Sequence, residues 1–452
     1  MKLFKHQEVS ITFLGKHARV FDMSDPGTGK TAVHIVAYAK RRQKKRGKKC
    51  LVLAPKSLLH SAWEQDFRRF APTLKVSVAY ASNRKAALAI EADVYVANHD
   101  AVKDLVKLPG HFWKQFDTII IDESTAFKHY TSARSKALGV LVQYFDHREL
   151  LSATPTSNGI CDMWHQVKLL DDGVRLGKSY FSFRAAVCKP TAVAARGRTI
   201  TTWEDKPESE AIVSALISDI VIRHRFEDCV DIPENHQYSV PFQLSPNHRV
   251  IYEQMKDECL IEFADGNYAA AVNAAVLYSK LLQVSSGAVY HGNDGYEVLD
   301  SDRYNLVMDL AEQRDHTVVF FNWQHQKDML VREAESRNMS YGIYDGGTPD
   351  VLRARLVDQF QAGVLRVLFA HPQSAGHGLT LTKGAATIWA SPTVNLEHYL
   401  QGLKRIHRIG QRRRTETIMI LADDTVEQKV YASLMQKDAR MSGLLNYLKE
   451  AA

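Results

Sequence analysis

The sequence predicts an α/β protein of two domains, each built on a parallel β-sheet with helices on both faces. Short, β-rich apolar runs recur with helical stretches between them, and they fall into two blocks separated by a region of different pattern. The length of 452 residues agrees, since it exceeds one ordinary domain at roughly 150 residues each.

The first block holds the runs Cys50–Ala54, Asp93–Ala97, Thr118–Asp122 and Glu149–Ala153. The second holds Thr317–Phe321, Leu365–Phe369, Thr387–Ala390 and Thr417–Leu421. The region from about 160 to 300 reads as mostly helical, and Tyr268–Leu282 combines strong helix formers with no breaker. The stretch Thr191–Arg198 shows no clear period and reads as a loop. Pro233 interrupts Asp231-Ile-Pro-Glu, which reads as a hinge and divides the chain into domains 1–232 and 233–452.

Hydrophobic residues make up 45% and charged residues 24%, so a core can form without staples. The net charge of +7 admits nucleic acid as a partner without establishing it. The five cysteines form no CxxC pair, which argues against a zinc site or a disulfide framework. The start, MKLFKHQEVS, lacks the apolar stretch of a signal peptide, and no run reaches the length of a membrane span. The expectation is a reduced, cytoplasmic protein, whether nucleoid-associated or in a host cytoplasm if viral.

Ser24-Asp-Pro-Gly-Thr-Gly-Lys-Thr31 is the sharpest chemical signal. A loop containing Gly27, Thr28 and Gly29 lets backbone N–H groups face phosphate oxygens, and the helix that follows adds its positive end. Lys30 then reaches the β- and γ-phosphates of ATP, and the Thr31 hydroxyl binds Mg²⁺. Ser24 stands where the strict pattern has its first glycine. About ninety residues on, Ile119-Ile-Ile-Asp-Glu123 is an apolar strand ending in adjacent carboxylates. Asp122 is the expected Mg²⁺ partner, and Glu123 the group that polarises the attacking water.

These residues and others downstream resemble superfamily 2 helicases and translocases, most closely those of Swi/Snf type, from residue 4 to about 430. The resemblance implies two RecA-like domains flanking an ATP cleft, with helical insertions at about 160–230 and 245–290 and a C-terminal brace helix opening near Asp424. Phe4-Lys-His-Gln7 is similar to the family's glutamine motif and assigns adenine to Gln7. Leu53–Ser57 with Trp63, Val96–His99 and Leu151–Pro155 resemble motifs Ia, Ib and III. Thr125 replaces the histidine usual after the acidic pair. Arg223–Val230 resembles the segment joining the two lobes. Val319–Trp323 and Ser374–Thr382 resemble motifs IV and V, and Gln401–Gln411 resembles motif VI, with Lys404 in place of an acidic residue. Gln401, Arg405 and Arg408 fall about a helical turn apart and present one face to the nucleotide, where Arg405 and Arg408 stabilise charge on the γ-phosphate.

By the same resemblance, Lys56, Ser57, Asn98, Leu379 and Thr380 track the nucleic-acid backbone, which suits a motor that needs contacts neutral to sequence. Lys40–Lys49 carries eight basic residues in ten positions and reads equally as a solvated helix end or as a holder of phosphates. Trp63, Trp323 and Trp389 are candidates for base stacking, but each adjoins an apolar run and reads rather as core. The implied activity is ATP-driven movement of a monomer on duplex or branched DNA, for branch migration, fork reversal or annealing in replication, recombination or repair. RNA helicases of the same superfamily and the motor subunit of a restriction or nuclease complex are the alternatives.

Overall fold

A computed structural model of the chain describes residues 3–44, 48–195, 198–264, 270–291, 295–375 and 379–450. The chain divides into two compact units. The first comprises Met1–Pro190, Trp203–Asp231 and Lys437–Ala452, and the second Thr191–Thr202 with Ile232–Gln436.

In the first unit, helix α1 (Lys5–Lys16) and helix α2 (Lys30–Gln43) accompany the strands β1 (Arg19–Asp22), β2 (Lys49–Ala54), β3 (Val76–Ala79), β4 (Val94–Asn98), β5 (Phe116–Asp122) and β6 (His147–Leu151). With the short β9 (Val221–Ile222) these make a seven-stranded sheet in the order β3-β4-β2-β5-β6-β1-β9, parallel at every pairing. Strands β2 and β5 are buried along their whole length, as their continuous apolar runs require once both faces are covered. Parallel pairing makes the chain cross back after each strand, so the loops leaving the strands collect at one edge, where sites in α/β sheets form. On one face, Val52 and Ile120 pack with Trp63 and Phe67.

Between β6 and β9, β7 (Cys188–Ala195) and β8 (Arg198–Asp205) form a two-stranded sheet. This corrects the loop expected at Thr191–Arg198 and the mostly helical character expected from 160 to 300. Thr199-Ile-Thr-Thr-Trp203 is rich in β-branched residues, and strand pairing outweighs the helix formers of the alanine-rich partner segment. Strand β9, two residues long, is too short for periodicity to reveal.

The second unit holds β10 (Asn235–Phe242), β11 (Ala288–Tyr290), β12 (Tyr296–Val298), β13 (Thr317–Phe320), β14 (Tyr341–Tyr344), β15 (Val367–Ala370), β16 (Ala386–Trp389) and β17 (Thr415–Ala422). Six of these form a parallel sheet in the order β10-β17-β16-β13-β15-β14, and β11 pairs with β12 antiparallel. A helix spans Ala270–Ser285, while Tyr268 lies outside the described residues. The core includes Val319, Phe369, Ile388 and Ile420. Arg303 is buried within it, donating to Ser285 O and Ala390 O at 2.9 Å and pairing with buried Glu427 at 3.0 Å.

Candidate nucleotide site

Three chain segments leave neighbouring strands of the first sheet at its C-terminal edge. Leu151, the last residue of β6, is level with Asp22 on one side and Asp122 on the other. The glycine loop after β1, Ser152–Pro155 after β6 and the acidic pair of β5 therefore emerge side by side.

In the loop, Gly27 (φ 88°) and Gly29 (φ 84°) are left-handed, and Gly29 caps α2. A Cβ at Gly29 would stand 2.3 Å from Gln7 Nε2, and one at Gly27 would stand 3.0 Å from the Phe226 ring. Gln7 donates to Thr28 O at 3.2 Å and accepts the Phe4 N–H at 3.1 Å, which puts the expected adenine contact against the loop. Thr28 is buried, and Thr31 is half-buried in the first turn of α2. The Lys30 ammonium lies over the loop, donating to Ser24 O at 2.5 Å and Asp25 O at 3.2 Å.

The Ser24 departure has a structural account. Ser24 is not among the residues with positive φ, so no glycine is needed there. Its hydroxyl accepts the His224 N–H at 3.1 Å. Asp25 in turn accepts Arg223 Nη1 at 2.6 Å and the Phe226 N–H at 2.9 Å. Segment 223–226 thus supports the loop, a role invisible along the chain because the contact spans about two hundred residues.

Asp122 is buried, its Oδ2 accepting the Trp63 indole N–H at 2.9 Å and its Oδ1 the Glu123 N–H at 3.0 Å. Burial raises its pKa above the ordinary carboxylate value, against the opposing pull of Trp63 and Lys30. A carboxylate held in this condition favours a cation beside it, and Mg²⁺ bound through one carboxylate and substrate phosphates fits. Glu123 follows in a left-handed conformation (φ 48°), so the chain turns immediately after the strand. His99 Nε2 lies 2.7 Å from Asp122 O. Burial lowers the His99 pKa to about 4, so the ring is neutral near pH 7 and donates that bond.

Beyond the acidic pair, Ser124 donates to Gln166 Oε1 at 2.7 Å, and Gln166 Nε2 donates to Pro155 O and Asp162 O, both at 2.9 Å. Gln166 therefore joins the acidic segment to the one that follows β6. Thr125, where the family has histidine, is buried in the short helix Ser124–Phe127.

Of the expected nucleic-acid contacts, Lys56 and Ser57 are exposed after β2, and half-buried Asn98 ends β4. Ala54 pairs with Asn98, and β2 and β4 lie across β5 from β6 and β1. Within the basic run, Arg41 pairs with Glu149, Arg42 with Asp93 and Lys49 with Glu91, at 2.5, 2.8 and 2.8 Å. Lys45, Arg46 and Gly47 lie outside the described residues. All three tryptophans pack in or against core, as their apolar surroundings suggested, and Trp63 in addition holds Asp122.

In the second unit, helix Leu396–Ile406 carries Gln401 and Arg405. Arg408 lies beyond its end, which corrects the expected helical spacing. The two arginines still converge, since Arg405 Nη1 and Arg408 Nη1 both donate to Leu379 O, at 3.3 and 2.6 Å. Gln401 Oε1 is buried without a hydrogen-bond partner among the described residues. Leu379 and Thr380 are half-buried, and Gly376, His377 and Gly378 lie outside the described residues.

Residues 22–286 match the SNF2-related domain family, and residues 302–410 match the helicase conserved C-terminal domain. "Putative protein p41" of Acyrthosiphon pisum secondary endosymbiont phage 1 is 28% identical, over 94% of this chain and 93% of that protein. An uncharacterized ATP-dependent helicase of Mycoplasma genitalium is 22% identical over 91% of this chain, and the aligned part is 39% of that protein. A Caenorhabditis elegans homologue of the SWI/SNF-related matrix-associated actin-dependent regulator of chromatin subfamily A-like protein 1 is 24% identical, over 96% of this chain and 61% of that protein. The Sulfolobus solfataricus SWI2/SNF2 ATPase core, solved with dsDNA, is 20% identical with a TM-score of 0.45, covering 98% of this chain and 94% of that one. The first family spans more than half of the chain. The chain therefore belongs to the SNF2-related family, as a Swi/Snf-type helicase of superfamily 2, an enzyme class that hydrolyses ATP.

Proposed function

We propose that this chain is a DNA-stimulated ATPase that moves along duplex or branched DNA, in branch migration, fork reversal or annealing during replication, recombination or repair. One observation supports it most. The glycine loop and the acidic pair share a sheet edge with Lys56, Ser57 and Asn98, which stand on its other side across β5.

In this reading Gln7 recognises adenine, Gly27–Thr31 cradle the phosphates and Lys30 leaves the loop carbonyls to meet the β- and γ-oxygens. Mg²⁺, held by Thr31 and Asp122, would supply positive charge at the phosphates. Trp63 and His99 hold Asp122 from its side chain and its carbonyl, so the carboxylate has little freedom to turn away. Glu123 orients the attacking water and takes its proton. Gln401 serves the nucleotide, and Arg405 and Arg408 the charge on the transferred phosphate. Lys56, Ser57, Asn98, Leu379 and Thr380 hold backbone phosphates without reading bases. Trp63 follows Lys56 and Ser57, and His99 follows Asn98, so the segments assigned to DNA are the ones that grip Asp122. The chain acts as a monomer in the cytoplasm.

The test is ATP hydrolysis without polymer and with single-stranded DNA, duplex DNA, a four-way junction or RNA, using Glu123→Gln as background. Stimulation by duplex or junction DNA that vanishes in Glu123→Gln is expected. Stimulation by RNA alone would replace the DNA reading with an RNA helicase. Stimulation only with a co-purifying protein would favour the motor subunit of a larger complex.

A further inference from the structure

His34 lies on α2 four residues after Lys30, fully buried, with a carboxylate on each side. Its Nδ1 is 2.5 Å from Glu149 Oε2 on β6, and its Nε2 is 3.2 Å from Asp22 Oδ2 at the end of β1. Each carboxylate has a second task. Asp22 Oδ1 accepts the N–H of Ser24, the first residue of the phosphate loop, at 2.9 Å. Glu149 Oε1 accepts Arg41 Nη2 at 2.5 Å, and Glu149 stands three residues before Ser152, where the segment after β6 begins. One ring thus joins the phosphate-loop helix, the strand that enters the loop and the neighbouring strand.

We propose that His34 is a positioning residue for ATP binding, holding Asp22 in the rotamer that fixes the first peptide of the phosphate loop. This rests on the ATPase reading of that loop. A ring with two acceptors facing it needs both nitrogens protonated to satisfy them, so the bridge is complete only as the imidazolium. Buried and unpaired, two carboxylates this close would repel each other. The groups facing the ring are Asp22 from β1 and Glu149 from β6. The charges of Lys30 and Arg41, on the same helix, act on those two carboxylates, and Asp122 of β5 feels the charge of His34. Burial alone would lower the His34 pKa, but Asp22 and Glu149 raise it to about 9.

The experiment measures affinity for a fluorescent ATP analogue and steady-state hydrolysis, in wild type and His34→Gln, from about pH 7 to about pH 10. His34→Gln is expected to weaken analogue binding and raise the KM for ATP about tenfold, the worth of one hydrogen bond to a charged group, while kcat at saturating ATP stays within about threefold. Wild-type affinity is expected to fall as pH rises through about 9, and that fall should be absent in the variant. A folded His34→Gln with wild-type affinity, or one that lowers kcat alone, would overturn the proposal. Should His34→Gln not fold, the wild-type titration decides, because affinity that stays flat to about pH 10 removes the role. Glu149→Gln, which keeps the shape and removes one charge, is expected to weaken affinity in the same direction. A wild-type chain that binds no ATP at any pH would instead overturn the reading beneath, and with it this one.

Discussion

Trp63 donates its indole N–H to Asp122 across 2.9 Å, so the helical segment Leu59–Glu64 after β2 holds the carboxylate that closes β5. Phenylalanine keeps an aromatic ring in this buried place and removes the donor. Trp63→Phe is expected to lower kcat about tenfold with a smaller change in KM for ATP, as one hydrogen bond to a charged group is worth roughly 1.5–3 kcal/mol. Steady-state hydrolysis with saturating duplex DNA checks this, and unchanged turnover would assign Trp63 to packing alone.

Glu123 stands free of the strand's alternation because of its left-handed turn. Glu123→Gln is isosteric and cannot take a proton. Turnover should fall by about 10²–10⁴, the usual range for a general base, with ATP binding retained by equilibrium titration. Loss of binding together with turnover would argue for a structural part instead.

Gly29→Ala should abolish nucleotide binding. It meets two penalties at once, a left-handed backbone costing roughly 1–2 kcal/mol and a Cβ 2.3 Å from Gln7 Nε2. Relief of the clash by moving Gln7 would separate the proposed adenine contact from the loop. A binding titration beside a thermal melt tells loss of the site from loss of the fold.

Glu427 is fully buried, taking Arg303, the Ser285 hydroxyl and the Ala422 N–H. Removing it leaves a buried guanidinium without its anion, so Glu427→Ala is expected to destabilise the second unit by roughly 3–5 kcal/mol. Denaturant unfolding of the two proteins under one buffer measures it.

The His34 bridge also gives stability a pH dependence. Its folded pKa of about 9 lies above the ordinary 6.5, so its contribution is complete below 6.5 and declines as pH rises towards 9. For Glu149, burial is outweighed by Arg41 and His34, which hold it at about 2 against an ordinary 4.5. That contribution is complete above 4.5 and is lost as pH falls towards 2. The gap in melting temperature between wild type and His34→Gln should therefore be widest below pH 6.5 and narrow towards 9.

Much of the site was legible because its chemistry is local. Gly27–Thr31 and Asp122-Glu123 are each one contiguous stretch whose residue types suit one task, and the continuous apolar runs of β2 and β5 suit strands covered on both faces of a parallel sheet. The pairing of β7 with β8 was not legible, since a pairing between two segments leaves no periodicity in either that outweighs an alanine-rich composition. Arg408 was placed on a helix by its spacing, yet the helix ends at Ile406, because spacing fixes a face only while the helix lasts.

By itself the sequence determined that two parallel sheets form and marked the short stretches proposed for phosphate and acid chemistry, because backbone turns, strand burial and charge are properties of neighbouring residues. Only the tertiary structure decided what holds those stretches in place. Trp63 on Asp122, His34 between Asp22 and Glu149, and Arg223 and Phe226 on Asp25 join residues from 12 to about 200 positions apart. Their partnership is set by strand order and crossover, since a hydrogen bond depends on distance in space and carries no trace along the chain.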